Sequence, residues 1–189
     1  MTYSSRYDSA LILAATLHRR QVRKGTDTPY IVHPVYVSLI LMQDGYDEDV
    51  AIAGLLHDAP EDQRYPLEDI AAQFGARVAD LVAHVSEHRY AGNDERPWET
   101  RKQEKLAALR TAPPEALAIT AADALHNASS ILADLRAHGP AVWGRFKRGR
   151  AGTVWYYRAV TDLLVDRLGA QPLVLELAGA VDAMERMQT

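Results

Sequence analysis

The sequence predicts an all-α protein, and three observations support this fold class. Apolar residues recur at helical spacing, as Leu11, Ala14 and Ala15 do near the start of the chain. No segment shows the period-two alternation that is typical of a half-buried strand. The chain has 189 residues, 48% of them hydrophobic, which is enough for one domain with a substantial core. We therefore expect a single compact bundle of about 8–10 helices over residues 1–189.

Glycine, proline and polar stretches mark where the predicted helices begin and end. Pro34 suits the first turn of the second helix, where its missing N–H does no harm, and Gly45 is a natural stop. The third helix begins at Asp47 or Glu48 and is apolar nearly all round, so we expect it to be central. The predicted helices cover residues 7–24, 33–45, 47–58, 67–74, 76–88, 98–110, 115–138, 140–146, 153–168 and 172–186.

Two polar segments between helices are predicted to be loops. Residues 25–29 contain turn-forming residues throughout. Residues 89–97 are polar and include Gly92, Asn93 and Asp94. We interpret this second segment as a mobile loop that could act as a lid.

Composition and charge exclude several classes of protein. A formal charge of −4 and a pI near 6 argue against a general nucleic-acid binder. The absence of cysteine excludes disulfides and thiolate metal sites. No apolar run reaches the ~18 residues of a membrane span, and the N-terminal residues have no apolar signal core. We expect a soluble, cytoplasmic protein.

The segment from Ala53 to Asp62 sets His57 beside Asp58 at the polar end of an apolar run. Adjacent helical residues diverge by roughly 100°, so both can flank one point, such as a metal ion, only at the rim of the buried face. Pro60 should kink or end the helix, which places Glu61 and Asp62 beyond it as acid/base candidates. Taken alone, a His-Asp pair is also typical of a hydrogen-bonded helix end.

Two further elements strengthen the interpretation as a metal site. His33 stands at the start of the second helix, where a cap or packing role is the alternative. Asp123 lies in the long predicted helix, and Asn127 and Ser130 follow it at i+4 and i+7. Because buried polar groups are unfavourable unless paired, this polar stripe should face a ligand, a metal or a hydrogen-bonded network.

Basic and aromatic side chains are candidates for holding a substrate. Four cations, Arg19, Arg20, Arg23 and Lys24, close the first predicted helix, where they either complement the helix dipole or grip phosphates. A second basic turn contains Lys147 and Arg150. The adjacent aromatic run Trp155, Tyr156 and Tyr157 is either core or a surface for stacking on a nucleobase.

Taken in order, these motifs resemble the HD superfamily of metal-dependent phosphohydrolases. The segments Arg23-Lys24 with Thr28-Pro-Tyr-Ile-Val-His33-Pro34, His57-Asp58-Ala-Pro-Glu61-Asp62, and Ala122-Asp123-Ala-Leu-His126-Asn127 are similar to the signature motifs of the RelA/SpoT-type hydrolase domain. The resemblance covers roughly residues 7–135, with the helices of 140–189 beyond it. It implies a stand-alone small alarmone hydrolase of the Mesh1 type, without a synthetase domain.

The resemblance also implies a role for each motif residue. It implies release of the 3′-pyrophosphate from guanosine tetra- or pentaphosphate with a manganese ion; the residue types are equally compatible with Fe²⁺ or Zn²⁺. Lys147 and Arg150 would add positive charge for an anionic substrate, and Tyr156 is the aromatic candidate for the base. The metal ligands implied are His33, His57, Asp58 and Asp123, the residues that activate water are Glu61 and Asp62, and the substrate-binding residues are Arg23, Lys24 and Asn127.

Some positions depart from the family pattern, and these departures leave the identity of the substrate open. Basic residues usually stand where this chain has Thr120 and Ala124, and Pro60 and Glu87 are also unusual. Adenosine alarmones, NADPH and nucleotide monophosphates therefore remain alternative substrates. A nucleotide-binding regulatory module without turnover is the alternative of a different class. The chain is a possible homo-oligomer.

Overall fold

The structure, a computed structural model, describes residues 4–92 and 94–187, and most of these residues are helical. A 3-10 helix, Gly139–Arg145, precedes α9, and strands β1 (Tyr90–Ala91) and β2 (Asp94–Glu95) form an antiparallel hairpin before α7. The predicted all-α class is confirmed. The ten α-helices of the described residues are α1 (Ser5–Leu17), α2 (Val32–Gln43), α3 (Glu48–Leu56), α4 (Ala59–Gln63), α5 (Leu67–Phe74), α6 (Ala76–Val85), α7 (Trp98–Leu109), α8 (Pro114–His138), α9 (Gly149–Leu168) and α10 (Pro172–Arg186).

Helix α3 lies at the centre of the fold, as its apolar composition predicts. Residues 50–57 are all buried, and the side chain of Asp47 caps the helix by accepting the N–H of Val50 at 3.1 Å. Gly54 allows α2 to approach closely, because a Cβ at this position would lie 2.7 Å from Leu41 Cδ1. The end of α3 is therefore buried directly against α2.

Helix α8 is the longest element and packs on α2, α3, α6, α9 and α10. Pro114 starts it in the position where proline is tolerated. Buried apolar side chains from α1 to α10 form one cluster. None of the helices in the described residues is long and apolar enough to cross a membrane. The packing brings α2, the end of α3 and the middle of α8 together.

The first helix ends earlier than the sequence predicts. It stops at Leu17, and Val22 and Pro29 instead form an isolated bridge in which Arg23 N–H donates to Thr28 O at 2.8 Å. The backbone groups of this segment find partners across a loop, so continuing the helix is not needed to satisfy them. The prediction that Arg23 and Lys24 close a helix was wrong.

The chain around Pro60 also differs from the prediction. Helix α3 ends at Leu56, and Pro60 lies in the first turn of a new short helix, α4, which was not predicted. Proline is favourable there because its fixed φ matches a helix start. Glu61 and Asp62 therefore lie on α4. The predicted loop at 89–97 contains strands β1 and β2, and Asn93 lies outside the described residues.

Candidate active site

Four side chains from three parts of the fold meet in the space between α2, the α3–α4 turn and α8. They are His33 at the start of α2, His57 and Asp58 between α3 and α4, and Asp123 in α8. His33 Nε2 lies 3.1 Å from Asp123 Oδ1 and 3.6 Å from Asp58 Oδ2. His57 Nε2 lies 3.1 Å from Asp58 Oδ2 and 3.8 Å from Asp123 Oδ1. The structure thus brings together all four predicted metal ligands.

The orientation of His57 suits a metal ligand. Its Nδ1 lies 2.8 Å from the carbonyl oxygen of Gly54 and donates to it, which turns Nε2 toward the carboxylates. Nε2 is buried and has no hydrogen-bond partner among the described residues, although Asp58 Oδ2 is near. A buried polar atom without a partner is unfavourable, and a metal ion between the imidazole and the carboxylate would supply one. Ligand atoms of His33, His57 and Asp58 all lie within 4.8 Å of one another, so these residues could hold a metal.

The imidazoles and carboxylates of the cluster shift one another's pKa values. Burial disfavours a charged imidazole, but the Asp58 carboxylate raises the pKa of His57 to about 9. Burial alone would raise the pKa of Asp58, yet His57 and His33 hold it below its ordinary value. Burial lowers the pKa of His33. Metal binding at this cluster should therefore displace the His57 proton.

Glu61 and Asp62 are adjacent on α4 but have different surroundings. Glu61 lines a cavity of about 170 Å³ together with the metal cluster. Burial, and then the Glu87 and Asp58 carboxylates, raise the pKa of Glu61 to about 7. Asp62 is not among the described residues that line the cavity, and its oxygens accept from Arg89 Nη1 at 2.8 Å and Gln21 Nε2 at 2.7 Å.

Among the predicted substrate-binding residues, Arg23 and Asn127 connect to the metal cluster. Arg23 Nη2 donates to Asn127 Oδ1 at 2.6 Å, and Asn127 Nδ2 donates to Asp123 Oδ1 at 2.6 Å. Lys24 lies over the ring of Phe146, with its Nζ 5.3 Å from the centroid. The loop before α2 therefore brings the Arg23 guanidinium to the cluster through Asn127, whereas Lys24 is not among the described residues that line the cavity.

The second basic turn does not reach the cavity. Lys147 is 74% exposed in its side chain and pairs with Glu95 at 2.9 Å. Arg150 Nη2 donates to the carbonyl oxygen of Glu185 at 2.7 Å, which ties α9 to α10. Neither is among the described residues that line the cavity. A role of Lys147 and Arg150 in binding substrate stays a prediction.

The aromatic run of α9 divides between the cavity and the surface. Tyr156 and Tyr157 line the cavity, and Lys102 Nζ lies 4.3 Å from the Tyr156 ring centroid. Trp155 is 46% exposed and lies beside Trp98. Only two of the three aromatic side chains can face a ligand in the cavity.

Several residues of the site were not predicted from the sequence. Tyr30 donates its hydroxyl to Asp58 Oδ2 at 2.5 Å. Glu87 binds Arg101 at 2.9 Å and also Lys102, and Lys105 donates to the carbonyl oxygen of Val85. Tyr30 lies inside a quoted motif, so its position three residues before His33 was a usable signal. The lysines lie on a helix of mixed charge, where the sequence offers no sign of their partners.

His126 is the other unpredicted member. Its Nδ1 lies 2.8 Å from Nδ1 of His33, and its ring stacks on Tyr36 with centroids 5.0 Å apart. Burial, and then the neighbouring His33 and Arg23, lower the pKa of His126 to about 4. The ring is therefore neutral at physiological pH.

Comparison with known proteins identifies the class. The family model described as HD domain matches residues 10–154, so the chain belongs to the HD domain family. It is similar to the Drosophila melanogaster protein named guanosine-3′,5′-bis(diphosphate) 3′-pyrophosphohydrolase MESH1, at 35% identity over 163 residues, or 85% of this chain and 86% of the relative. It also matches a GTP pyrophosphokinase of Streptomyces coelicolor at 39% identity over 64% of this chain, but spans only 14% of that relative's length.

Two solved structures share the architecture. One, titled as a metazoan ortholog of SpoT that hydrolyzes ppGpp, superposes with a TM-score of 0.80 and 30% identity over 100% of both chains. The other is lmo0812 of Listeria monocytogenes EGD-e, with a TM-score of 0.72 and 37% identity over 79% of this chain and 96% of that one. At 37% and 30% identity, the likeness to both structures extends from the fold to the sequence.

Proposed function

We propose that this protein hydrolyses the 3′-pyrophosphate of (p)ppGpp-type guanosine alarmones, releasing pyrophosphate and GDP or GTP. The observation that carries the proposal is the cluster in which the Nε2 atoms of two imidazoles, His33 and His57, both face the carboxylates of Asp58 and Asp123. The names of the MESH1 relative and of the SpoT ortholog support this choice of substrate. A single domain, a cytoplasmic location and a possible homo-oligomer stay predictions.

We assign the metal ligands to His33, His57, Asp58 and Asp123. Two imidazoles and two carboxylate groups form a donor set that suits Mn²⁺, with Fe²⁺ and Zn²⁺ as alternatives. A cation bound there supplies positive charge to a phosphoryl oxygen and lowers the pKa of water.

The chain's own residues supply the acid/base chemistry and the charge for the substrate. Glu61 accepts a proton from the attacking water, because it lines the cavity and its pKa of about 7 suits a base at neutral pH. Asp62 is also predicted to activate water, but because Arg89 and Gln21 hold its oxygens, we assign it to fixing the position of α4.

The substrate's phosphates bring several negative charges to a protein whose own net charge is −4. We assign the balance of these charges to Arg23, which is hydrogen-bonded to Asn127, to its neighbour Lys24, and to Lys102 and Lys105 in the cavity wall. Tyr156 and Tyr157 give one wall of the cavity an aromatic surface.

The test is a Mn²⁺-dependent assay on guanosine and adenosine 3′-pyrophosphate nucleotides and NADPH that separates pyrophosphate from orthophosphate. We expect pyrophosphate release from the guanosine substrates. Orthophosphate release would instead indicate a nucleotidase or an NADPH phosphatase. Tight alarmone binding without product would indicate a regulatory module.

Asp58→Ala is the blank for this assay. Loss of a ligand that positions a cation should remove several kcal/mol of transition-state stabilisation, so we expect turnover to fall more than about 100-fold while the helical circular dichroism is kept. Asp80→Ala, an exposed aspartate on α6, is the matched control and should keep full activity. Retained turnover in Asp58→Ala would remove the metal assignment.

A further inference from the structure

His33 uses both of its ring nitrogens. Nε2 faces Asp123 and Asp58, while Nδ1 lies 2.8 Å from Nδ1 of His126. The two rings come from α2 and α8, and their centroids are 4.9 Å apart. Among the described residues, His126 Nδ1 is the only polar partner of His33 Nδ1.

A hydrogen bond between two Nδ1 atoms needs one proton, and the metal site determines which ring carries it. An imidazole that binds a cation through Nε2 has its lone pair there and therefore carries its proton on Nδ1. His33 Nδ1–H must then donate, and His126 Nδ1 must accept. The stacking of His126 on Tyr36 holds the accepting ring in place.

We propose that His126 is a positioning residue of the metal site, whose Nδ1 accepts the proton of His33 Nδ1–H and so sets the tautomer and orientation of that ligand. The inference rests on the metal site of the proposed function. Partners of this kind orient a ligand imidazole and raise its basicity, and losing one typically weakens metal binding 10–100-fold.

Both histidine ligands thus donate a hydrogen bond from Nδ1, but to different kinds of acceptor. His57 donates to a backbone carbonyl, that of Gly54, which no substitution at that position removes. His33 donates to a side chain. Only the support of His33 can therefore be tested by changing one residue.

The test compares His126→Phe with His126→Asn. Phenylalanine keeps a ring against Tyr36 but has no acceptor, whereas the side-chain oxygen of asparagine can accept the same proton. The readout is the Kd of the purified metal-free protein for Mn²⁺, from the electron paramagnetic resonance signal of free Mn²⁺. We expect His126→Phe to weaken binding about 10–100-fold and His126→Asn to stay close to the wild type.

His84→Phe, at an exposed histidine of α6, is the matched control and should bind Mn²⁺ normally. His126→Leu repeats the loss with a different shape should the phenylalanine variant fold poorly. Unchanged affinity in the apolar variants, or an equal loss in His126→Asn, would overturn the inference. A wild type that binds Mn²⁺ but hydrolyses no alarmone would overturn the proposed function and leave this inference standing.

Discussion

At the scale of single residues, the site depends on the short turn between α3 and α4, where His57 follows the last residue of α3 and Asp58 precedes the first residue of α4. Both residues keep right-handed helical dihedrals, so their side chains reach the cluster from the rim of the buried face. Their side chains can therefore approach one point, with His57 Nε2 and Asp58 Oδ2 at 3.1 Å. Neither helix has to be distorted to place both.

Glu61 should lower the stability of the metal-free protein as the pH rises. Its pKa of about 7 lies above the ordinary 4.5, so the folded state binds the proton more tightly than the unfolded state. The stability that the protonated form contributes is complete below about pH 4.5 and is lost as the pH passes through 7. We expect Glu61→Gln to raise the free energy of unfolding on the order of 2 kcal/mol at pH 8, with little effect at pH 4.5.

Urea unfolding of the metal-free protein at the two pH values measures this difference. Glu68→Gln, at an exposed glutamate of α5, is the control and should change stability equally at both. An effect of Glu61→Gln that is the same at pH 4.5 and pH 8 would contradict the raised pKa. The same substitution should abolish turnover, since Gln cannot accept a proton.

At the scale of elements, the β1–β2 hairpin is tied to the site. Arg89, which leads into β1, binds Asp62 at 2.8 Å, and Glu95 in β2 binds Lys147 at 2.9 Å. The predicted loop at 89–97 is therefore held by ion pairs on both sides. A movement of the hairpin would release Asp62 on α4.

Arg89→Gln should lower kcat about tenfold, because Asp62 loses a charge-assisted hydrogen bond and α4, which carries Glu61, is held less firmly. Steady-state kinetics with saturating Mn²⁺ give the value. Arg96→Gln, which removes the pair of Arg96 with the exposed Glu104, is the matched control in the same segment. Equal losses in both variants would show that the hairpin acts only through its general stability.

At the scale of the whole molecule, the metal site joins parts of the fold that are far apart in sequence. A cation held by α2, the α3–α4 junction and α8 would bind only the folded state. Mn²⁺ at about 100 times its Kd should stabilise the fold by about 2.7 kcal/mol, which raises Tm by about 5–10 °C for a chain of this size. Differential scanning calorimetry with and without Mn²⁺ measures the shift.

Asp58→Ala should show no such shift, and Asp80→Ala should show the full one. A wild-type Tm that does not respond to Mn²⁺, Fe²⁺ or Zn²⁺ would contradict a metal site built from these helices.

The sequence by itself determined the all-α class, the central position of α3 and the membership in the HD domain family. Each depends on local information: helical spacing, an apolar run, and motifs in which residues such as His57 and Asp58 stand side by side. Helix α1 shows what local spacing could not predict. It stops at Leu17, and the backbone of 21–23 instead forms hydrogen bonds across a loop.

Only the tertiary structure decided which side chains meet. His33 and His126 are 93 positions apart, and Arg23 and Asn127 are 104 apart, so no local pattern records either contact. Glu61 and Asp62 look equivalent in sequence, yet on α4 the side chain of Glu61 lines the cavity and that of Asp62 binds Arg89. Local periodicity describes how each helix forms, whereas the pairing of buried polar groups depends on how helices pack, and that depends on the whole core.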